Sequence, residues 1–162
     1  NGADGLCHWC VGDMFYRSGL KQGGMYCGLW RYRWEGWVPR PVYYYYAALV
    51  EAFRPGCTLL PVEGLPTGVV GLAARQASAT HVVLLNHGTA ATTVRWAGEG
   101  GLCRLRVAPD RLPRRPDIMA HESGSEDLPL ADWAVVQLTP EGVDCVLEAN
   151  ELSVFKLERE QA

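Results

Sequence analysis

The chain has 162 residues, of which 48% are hydrophobic and 20% charged. This length allows one domain, or a small domain with part of another, and this balance excludes a wholly disordered chain. A net charge of −3 argues against a nucleic-acid or anionic-membrane partner, and no apolar run approaches the roughly 18 residues of a membrane-spanning helix.

The six cysteines do not form a dense disulfide framework. Cys7 and Cys10 have the spacing of half a zinc site, but a second pair at metal spacing is missing. Positions three apart on a strand also point to opposite faces. The sequence therefore predicts free thiols, no metal site and no cofactor.

The first fifty-odd residues predict a strand, a long loop and a helix. Residues 3–11 form a continuous apolar run, which is typical of a strand buried on both faces of a parallel sheet. Residues 12–40 are rich in Gly and aromatic side chains, and a connection of that length is usually functional. Pro41 suits the first helical position, and Pro55 with Gly56 would end the helix. Its apolar stripe is predicted to contain Val42, Tyr45, Tyr46, Leu49 and Phe53, packed on a sheet.

From Cys57 onward, short segments rich in Val, Leu and Thr alternate with turn residues. Such a series is typical of an antiparallel β-sandwich. Residues 81–86 and 92–96 are predicted to pair as a hairpin, and residues 109–129 to form an exposed loop. Strands are expected at 57–62, 68–76, 80–86, 91–97, 102–108, 133–138, 143–148 and 151–158.

The sequence therefore predicts a mostly β chain in two parts. Residues 1–56 would be an incomplete strand–loop–helix unit, which has no partners for its strand in the rest of the chain. Residues 57–162 would be the antiparallel β-sandwich.

Four sequence segments, in this order, resemble the end of a clan A glycoside hydrolase, most closely the family 39 group of xylosidase- and iduronidase-type enzymes. The first two look like the eighth strand of a (β/α)8 barrel and the Gly-rich segment before its last helix. The other two look like the start of that helix and a strand of the C-terminal sandwich. The segments are His-Trp-Cys-Val-Gly-Asp at 8–13, Gly-Gly-Met-Tyr-Cys-Gly-Leu at 23–29, Pro-Arg-Pro-Val-Tyr-Tyr at 39–44 and Ala-Asn-Glu-Leu-Ser-Val-Phe at 149–155.

This resemblance implies that both catalytic glutamates lie upstream of the chain, at the ends of the fourth and seventh barrel strands. The sequence agrees, because its first Glu is Glu35, inside the aromatic loop. Retaining glycosidases need two carboxyl groups about 5–5.5 Å apart, so the chain alone is expected to be inactive. Its expected partners are a carbohydrate substrate and the remainder of the barrel.

The candidate substrate-binding residues are Trp9, Asp13, Trp30 and Trp34. Trp9, at the top of the eighth strand, would offer its ring to the apolar face of a sugar; alternatively it is a core tryptophan. Asp13 would bind a sugar hydroxyl or hold the loop. Trp30 and Trp34 would line outer subsites or pin the loop to the barrel.

Two other functions fit parts of the sequence. The chain could be a non-catalytic β-sandwich module that binds carbohydrate or protein, with its N-terminal segment as an extension. A redox role for Cys7 and Cys10 is disfavoured, because no βαβ pattern of the thioredoxin type follows them.

Overall fold

The computed structural model describes residues 14–18, 21–25, 28–31, 39–76, 79–98, 100–109 and 133–158. These residues form one helix and ten strands. In chain order the elements are β1 (Met14–Ser18), β2 (Lys21–Met25), α1 (Pro41–Ala52), β3 (Thr58–Pro61), β4 (Val69–Arg75), β5 (Ala79–Asn86), β6 (Thr92–Trp96), β7 (Gly101–Val107), β8 (Ala134–Gln137), β9 (Val143–Leu147) and β10 (Leu152–Glu158).

The chain divides into two compact units. One comprises residues 1–44 and 113–128, and the other residues 45–112 and 129–162. In the first unit β1 and β2 pair as an antiparallel hairpin, in a register that runs from Met14 opposite Met25 to Ser18 opposite Lys21. The hairpin lies within the stretch predicted as a long loop. The predicted strand at 3–11 and most of the predicted loop at 109–129 lie outside the described residues.

The second unit contains two antiparallel sheets. Six strands form one sheet in the order β3-β4-β5-β10-β7-β8, and β6 pairs with β9 in the other. All eight strands predicted after Cys57 are confirmed, each within two residues of its expected ends. The last of them, β10, lies between β5 and β7 inside the larger sheet.

The predicted hairpin between residues 81–86 and 92–96 is wrong. Strand β5 already has β4 on one side and β10 on the other, so β6 crosses to the second sheet. Asn86 fixes this crossing: its amide nitrogen donates to the carbonyl oxygens of Ala90 at 2.8 Å and Leu147 at 3.0 Å. Its amide oxygen accepts from the backbone N–H of Gly88 at 3.0 Å. A fully used side-chain amide of this kind directs the chain away from a tight hairpin turn.

The core lies between the two sheets. Phe155 at the middle of β10 is fully buried, and the ring of Trp96 lies 4.6 Å from it at an interplanar angle of 41°. Alternate residues of each strand face this core, as expected for a sheet with a period of two. The buried members of the core are Val69, Ala73, Val82, Leu84, Val94, Leu102, Cys145, Leu147 and Phe155.

Helix α1 buries a different stripe from the predicted one. Its buried residues are Tyr44, Ala48 and Ala52, spaced four apart, with both alanines at 0% exposure. The five residues of the predicted stripe are only half-buried. The pattern of large apolar residues was misleading because small alanines let a helix approach its neighbours closely, while larger side chains flank the contact. None of the described helical residues belongs to a segment long and apolar enough to cross a bilayer.

Two hydrogen bonds tie the second half of α1 to the sandwich unit. The Tyr45 hydroxyl donates to the carbonyl oxygen of Asn150 at 2.9 Å, and burial, followed by the charge of Glu151, raises the pKa of Tyr45. Gln76, just after β4, donates from its amide nitrogen to the carbonyl oxygen of Ala52 at 3.3 Å. The helix is therefore bound near both ends of this half.

Replacing Phe155 by alanine should lower the free energy of unfolding by about 3–5 kcal/mol, because it opens a cavity at the centre of the sandwich. Val135→Ala is the matched control, since Val135 on the edge strand β8 is 65% exposed and its loss should change stability by less than about 0.5 kcal/mol. Urea denaturation followed by tryptophan fluorescence measures both. Equal effects of the two changes would contradict this description of the core.

Candidate functional site

Trp30, a residue of the predicted sugar site, belongs to a cluster of three aromatic residues in the described part of the chain. The rings of Trp30 and Tyr43 lie 4.7 Å apart at an angle of 46°. Tyr43 in turn meets Tyr44 edge to face, with ring centres 5.3 Å apart and an angle of 83°. Offset and edge-to-face contacts of this kind are the favourable geometries for aromatic pairs. The aromatic cluster is thus a packed unit rather than three separate surface rings.

Backbone hydrogen bonds bring Trp30 beside the start of α1. Trp30 and Pro39 form an isolated antiparallel bridge, and the N–H of Arg40 donates to the carbonyl oxygen of Leu29 at 2.7 Å. One residue further, the helix begins at Pro41, whose fixed φ suits that position. The two sides of the aromatic stretch therefore converge at the N-terminus of the helix, which places Tyr43 against Trp30.

The geometry restrains Trp30, whose stacking on a sugar ring stays a prediction. Trp30 is half-buried, and contact with Tyr43 restrains its indole. A side chain that is already restrained loses less conformational entropy on binding. An aromatic ring covers the apolar C–H face of a pyranose without leaving polar groups unpaired.

Of the four predicted site residues, the structure describes Trp30. Trp9, Asp13 and Trp34 lie outside the described residues, so their roles stay predictions. Tyr43 was not among the predicted site residues, because the tyrosine run was predicted to lie on a helix face that packs on a sheet. Its position two residues after Pro41 could have indicated its contact with Trp30, because the first turn of a helix that follows an aromatic loop lies beside that loop.

A second polar site surrounds Glu151, at the start of β10. Its carboxylate is fully buried and accepts hydrogen bonds from two arginines of β7, one serine and one backbone N–H. These contacts are Arg104 Nη2 at 2.7 Å, Arg106 Nε at 3.0 Å and Nη2 at 2.6 Å, Ser153 Oγ at 2.6 Å, and the N–H of Glu148 at 3.1 Å. We call these five residues the Glu151 cluster.

The carboxylate of Glu151 stays ionised. Burial alone would raise its pKa, but the hydrogen bonds from Arg106, Ser153 and the Glu148 N–H, together with the charge of Arg104, outweigh this and lower the pKa. Both oxygens are occupied by donors. Such a group can neither attack a sugar carbon nor deliver a proton, so its role is structural.

Arg104 extends the Glu151 cluster to the second sheet. Its guanidinium donates to the carbonyl oxygen of Val146 on β9 and, through Nε, to Ser153 Oγ at 3.1 Å. The guanidinium carbon also lies 5.3 Å from the ring centre of Phe155, within the range of a cation–π contact. Burial, opposed by Glu151, lowers the pKa of Arg104, which nevertheless stays charged at neutral pH.

The sequence analysis gave Glu151 no role, because a lone glutamate at a strand start normally faces water. The sequence feature that could have indicated an enclosed anion is the pair Arg104 and Arg106. These residues are two apart on β7 and therefore lie on one face of the strand, and one of its two faces must be turned toward the core. Two arginines that are partly withdrawn from water favour a nearby anion, and Glu151 supplies it.

Metal ligands do not gather in the described part of the chain: no three His, Cys, Asp or Glu side chains there are placed to hold an ion. Cys57, Cys103 and Cys145 are free thiols. Burial raises the pKa of the Cys145 thiol, which makes it a poor nucleophile. Cys7 and Cys10 lie outside the described residues.

No protein-family model matches the chain, and no curated protein matches it in sequence. Its fold is similar to that of a family 30 endoxylanase from Clostridium papyrosolvens C71, with a TM-score of 0.56 and 16% identity. It is also similar to a family 30 subfamily 8 xylanase from Clostridium acetobutylicum, with a TM-score of 0.59 and 10% identity. The fold is that of the C-terminal part of family 30 glycoside hydrolases.

The alignments cover 76% and 82% of this chain, but only 29% and 31% of the two xylanases. The chain therefore spans less than a third of the length of these neighbours. The expected mostly β, antiparallel architecture is confirmed. The expected likeness to clan A is found at the level of the fold, while the finer likeness to family 39 stays a prediction.

Replacing Glu151 by glutamine should lower the free energy of unfolding by about 3–5 kcal/mol, because the partly buried guanidinium groups of Arg104 and Arg106 would lose the buried carboxylate that pairs with both. In the wild-type protein, the contribution of the ionised Glu151 carboxylate to the free energy of unfolding is complete above its unfolded pKa near 4.5. That contribution is lost as pH falls through the lower pKa of the folded protein. Urea denaturation at neutral and acid pH should therefore show a gap between the two proteins that narrows in acid.

Glu148→Gln is the control for this experiment. The Glu148 side chain is exposed, and its part in the Glu151 cluster is its backbone N–H, which the substitution keeps. Stability should change by less than about 0.5 kcal/mol. A gap between wild type and Glu151→Gln that is independent of pH would contradict the assignment of an ionised Glu151.

Proposed function

We propose that this chain is the C-terminal part of a glycoside hydrolase. It would complete a barrel supplied by upstream polypeptide and contribute sugar-binding aromatics and a stabilising β-sandwich. The observation that carries the proposal is the similarity of fold to two family 30 xylanases over about four-fifths of this chain. Because those enzymes are xylanases, xylan is the first substrate to test.

Three of the carboxylates in the described residues are held in ion pairs with arginine. Glu151 is fully enclosed by its donors, and Glu51 forms an ion pair with Arg54 at 2.7 Å. Asp144 lies 3.5 Å from Arg95 on an exposed strand pair of the sandwich. A retaining or inverting glycosidase needs an acid and a second carboxylate that both face the substrate. The proposal therefore assigns both catalytic glutamates to the upstream barrel.

The aromatic cluster supports a role in substrate positioning. Trp30, restrained by Tyr43, would line an outer subsite together with Trp34, while Trp9 would stack on the sugar at the cleavage point and Asp13 would bind a sugar hydroxyl or hold the loop. Stacking on an aromatic ring binds the ground state and the transition state of a distant bond about equally. Such a residue is expected to act mainly on KM.

The Glu151 cluster supports a stabilising role for the sandwich. It fixes β7, β9 and β10 to one another, and the Glu151 carboxylate at its centre is fully buried.

The 162-residue chain alone should release no reducing sugar from xylan or xylo-oligosaccharides, whereas the full-length parent protein should do so. The coding sequence immediately upstream of Asn1 gives a second check. It should encode six or seven βα units, with a glutamate at the ends of two strands. Hydrolysis by the isolated chain, or an upstream sequence without those units, would contradict the proposal.

In the full-length enzyme, Trp30→Ala should raise KM for xylo-oligosaccharides about three- to tenfold, with kcat nearly unchanged, because roughly 0.5–1.5 kcal/mol of aromatic contact is lost. Trp30→Phe is the matched variant and should retain most of the affinity. Initial-rate kinetics with oligosaccharides of increasing length measures both. A fall in kcat with no change in KM, together with lower thermal stability, would assign Trp30 to loop packing instead.

A further inference from the structure

His81 occupies an unusual place on strand β5. In the sheet it stands directly opposite Ala74 of β4 and Lys156 of β10. Val82 and Leu84, two residues apart on the same face of β5, both belong to the core between the sheets. The odd-numbered His81 therefore faces away from that core. It is nevertheless only 4% exposed.

Neither ring nitrogen of His81 has a hydrogen-bond partner among the described residues. A neutral imidazole has one donor and one acceptor, so both polar groups of the buried ring are unsatisfied by the described part of the chain. Adding a proton would place a charge in the same site without an acceptor, which costs more than burying the neutral ring. The site therefore tolerates the neutral ring and disfavours the cation.

The charged groups around His81 come from two elements. Helix α1 contributes Glu51, and Arg54 follows it directly after the helix; β10 contributes Lys156. Opposite His81, β4 contributes the uncharged Ala74. Burial lowers the pKa of His81; Glu51 acts to raise it, and Lys156 and Arg54 act to lower it further. Glu51 is already bound through both oxygens to Arg54 at 2.7 Å, which weakens it as a partner for an imidazolium.

The end of α1 is attached beside this histidine. The carbonyl oxygen of Ala52 accepts its 3.3 Å hydrogen bond from Gln76, one residue beyond the end of β4, and Ala52 itself is fully buried. A single, long hydrogen bond between neutral groups contributes little net stability. The attachment of this turn thus depends mainly on close packing, which a buried charge would disturb.

We propose that His81 is an acid-sensitive latch for the last turn of α1, residues 49–52. With a neutral ring the turn packs on the sheet, and protonation of His81 releases it. Because burial disfavours the imidazolium, the contribution of the neutral ring to the stability of this turn is complete above the unfolded pKa of about 6.5. That contribution is lost as pH falls below this value.

Amide hydrogen exchange in the 162-residue chain tests the latch. After correction for intrinsic rates, the opening constant of residues 49–53 should increase by up to about tenfold for each pH unit below about 6.5. Residues 152–157 of β10 serve as the internal reference and should change less over the same range. Equal acceleration in both segments would overturn the proposal, because it would show global unfolding rather than release of the turn.

Two variants separate the latch from other acid effects. His81→Leu removes the titrating group and should abolish the pH dependence of exchange in residues 49–53. His87→Gln, at an exposed histidine just after β5, should retain the wild-type dependence. Wild-type behaviour of His81→Leu would overturn the proposal.

If His81→Leu does not fold, the wild-type protein still decides the question. Titration of the His81 ring by NMR should give a pKa below the ordinary 6.5. A value of 6.5 or above would overturn the proposal.

Discussion

The buried carboxylate of Glu151 is the interaction on which the sandwich depends. An ion enclosed without water is tolerated only when its charge is matched and its oxygens accept hydrogen bonds. Here Arg104 and Arg106 provide the charge. Since the backbone N–H of Asn86 donates to the Glu151 carbonyl oxygen at 3.0 Å, β5 is joined to the same point. The side chain of Glu151 thus links β7, β10 and the residue that follows β9, and its backbone carbonyl adds β5.

The turn before Glu151 also contacts helix α1. Asn150 has a positive φ of 59°, a conformation that asparagine tolerates better than most residues. This conformation accompanies the contact of its carbonyl oxygen with Tyr45. The helix is thus positioned by a polar contact with the turn at one end and by packing near His81 at the other. The first attachment is a hydrogen bond and the second is mainly close packing, so a change in solvent conditions is expected to affect the stability of the two differently.

The sequence predicted the strands well because their signals are local: alternation, β-branched residues and turn residues between them. Sheet membership was not predictable in the same way. Residues 81–86 and 92–96 are close in sequence, yet they belong to different sheets because the hydrogen bonds of Asn86 direct the chain away from a hairpin turn. A single side-chain amide leaves no periodic pattern from which this crossing could be predicted. The buried stripe of α1 did not follow side-chain size, because the helix approaches its neighbours closely through small alanines. The burial of Glu151 did not follow from its charge, because the arginines that pair with it are distant in the sequence. At the candidate site, aromatic content indicated Trp30, whereas its pairing with Tyr43 required the bridge between Trp30 and Pro39.

The central position of β10 has a consequence for how the chain acquires its fold during synthesis. Strands β5 and β7 are made first, but each has one edge that only β10 can cover. Until residues 152–158 leave the ribosome, those edges expose unpaired backbone groups, which are sites for non-native association. The carboxylate that neutralises Arg104 and Arg106 also arrives only then. Closure of the sheet and pairing of Arg104 and Arg106 with Glu151 therefore both require the last strand to be made, and a nascent chain that stalls before residue 151 lacks both Glu151 and the core residue Phe155.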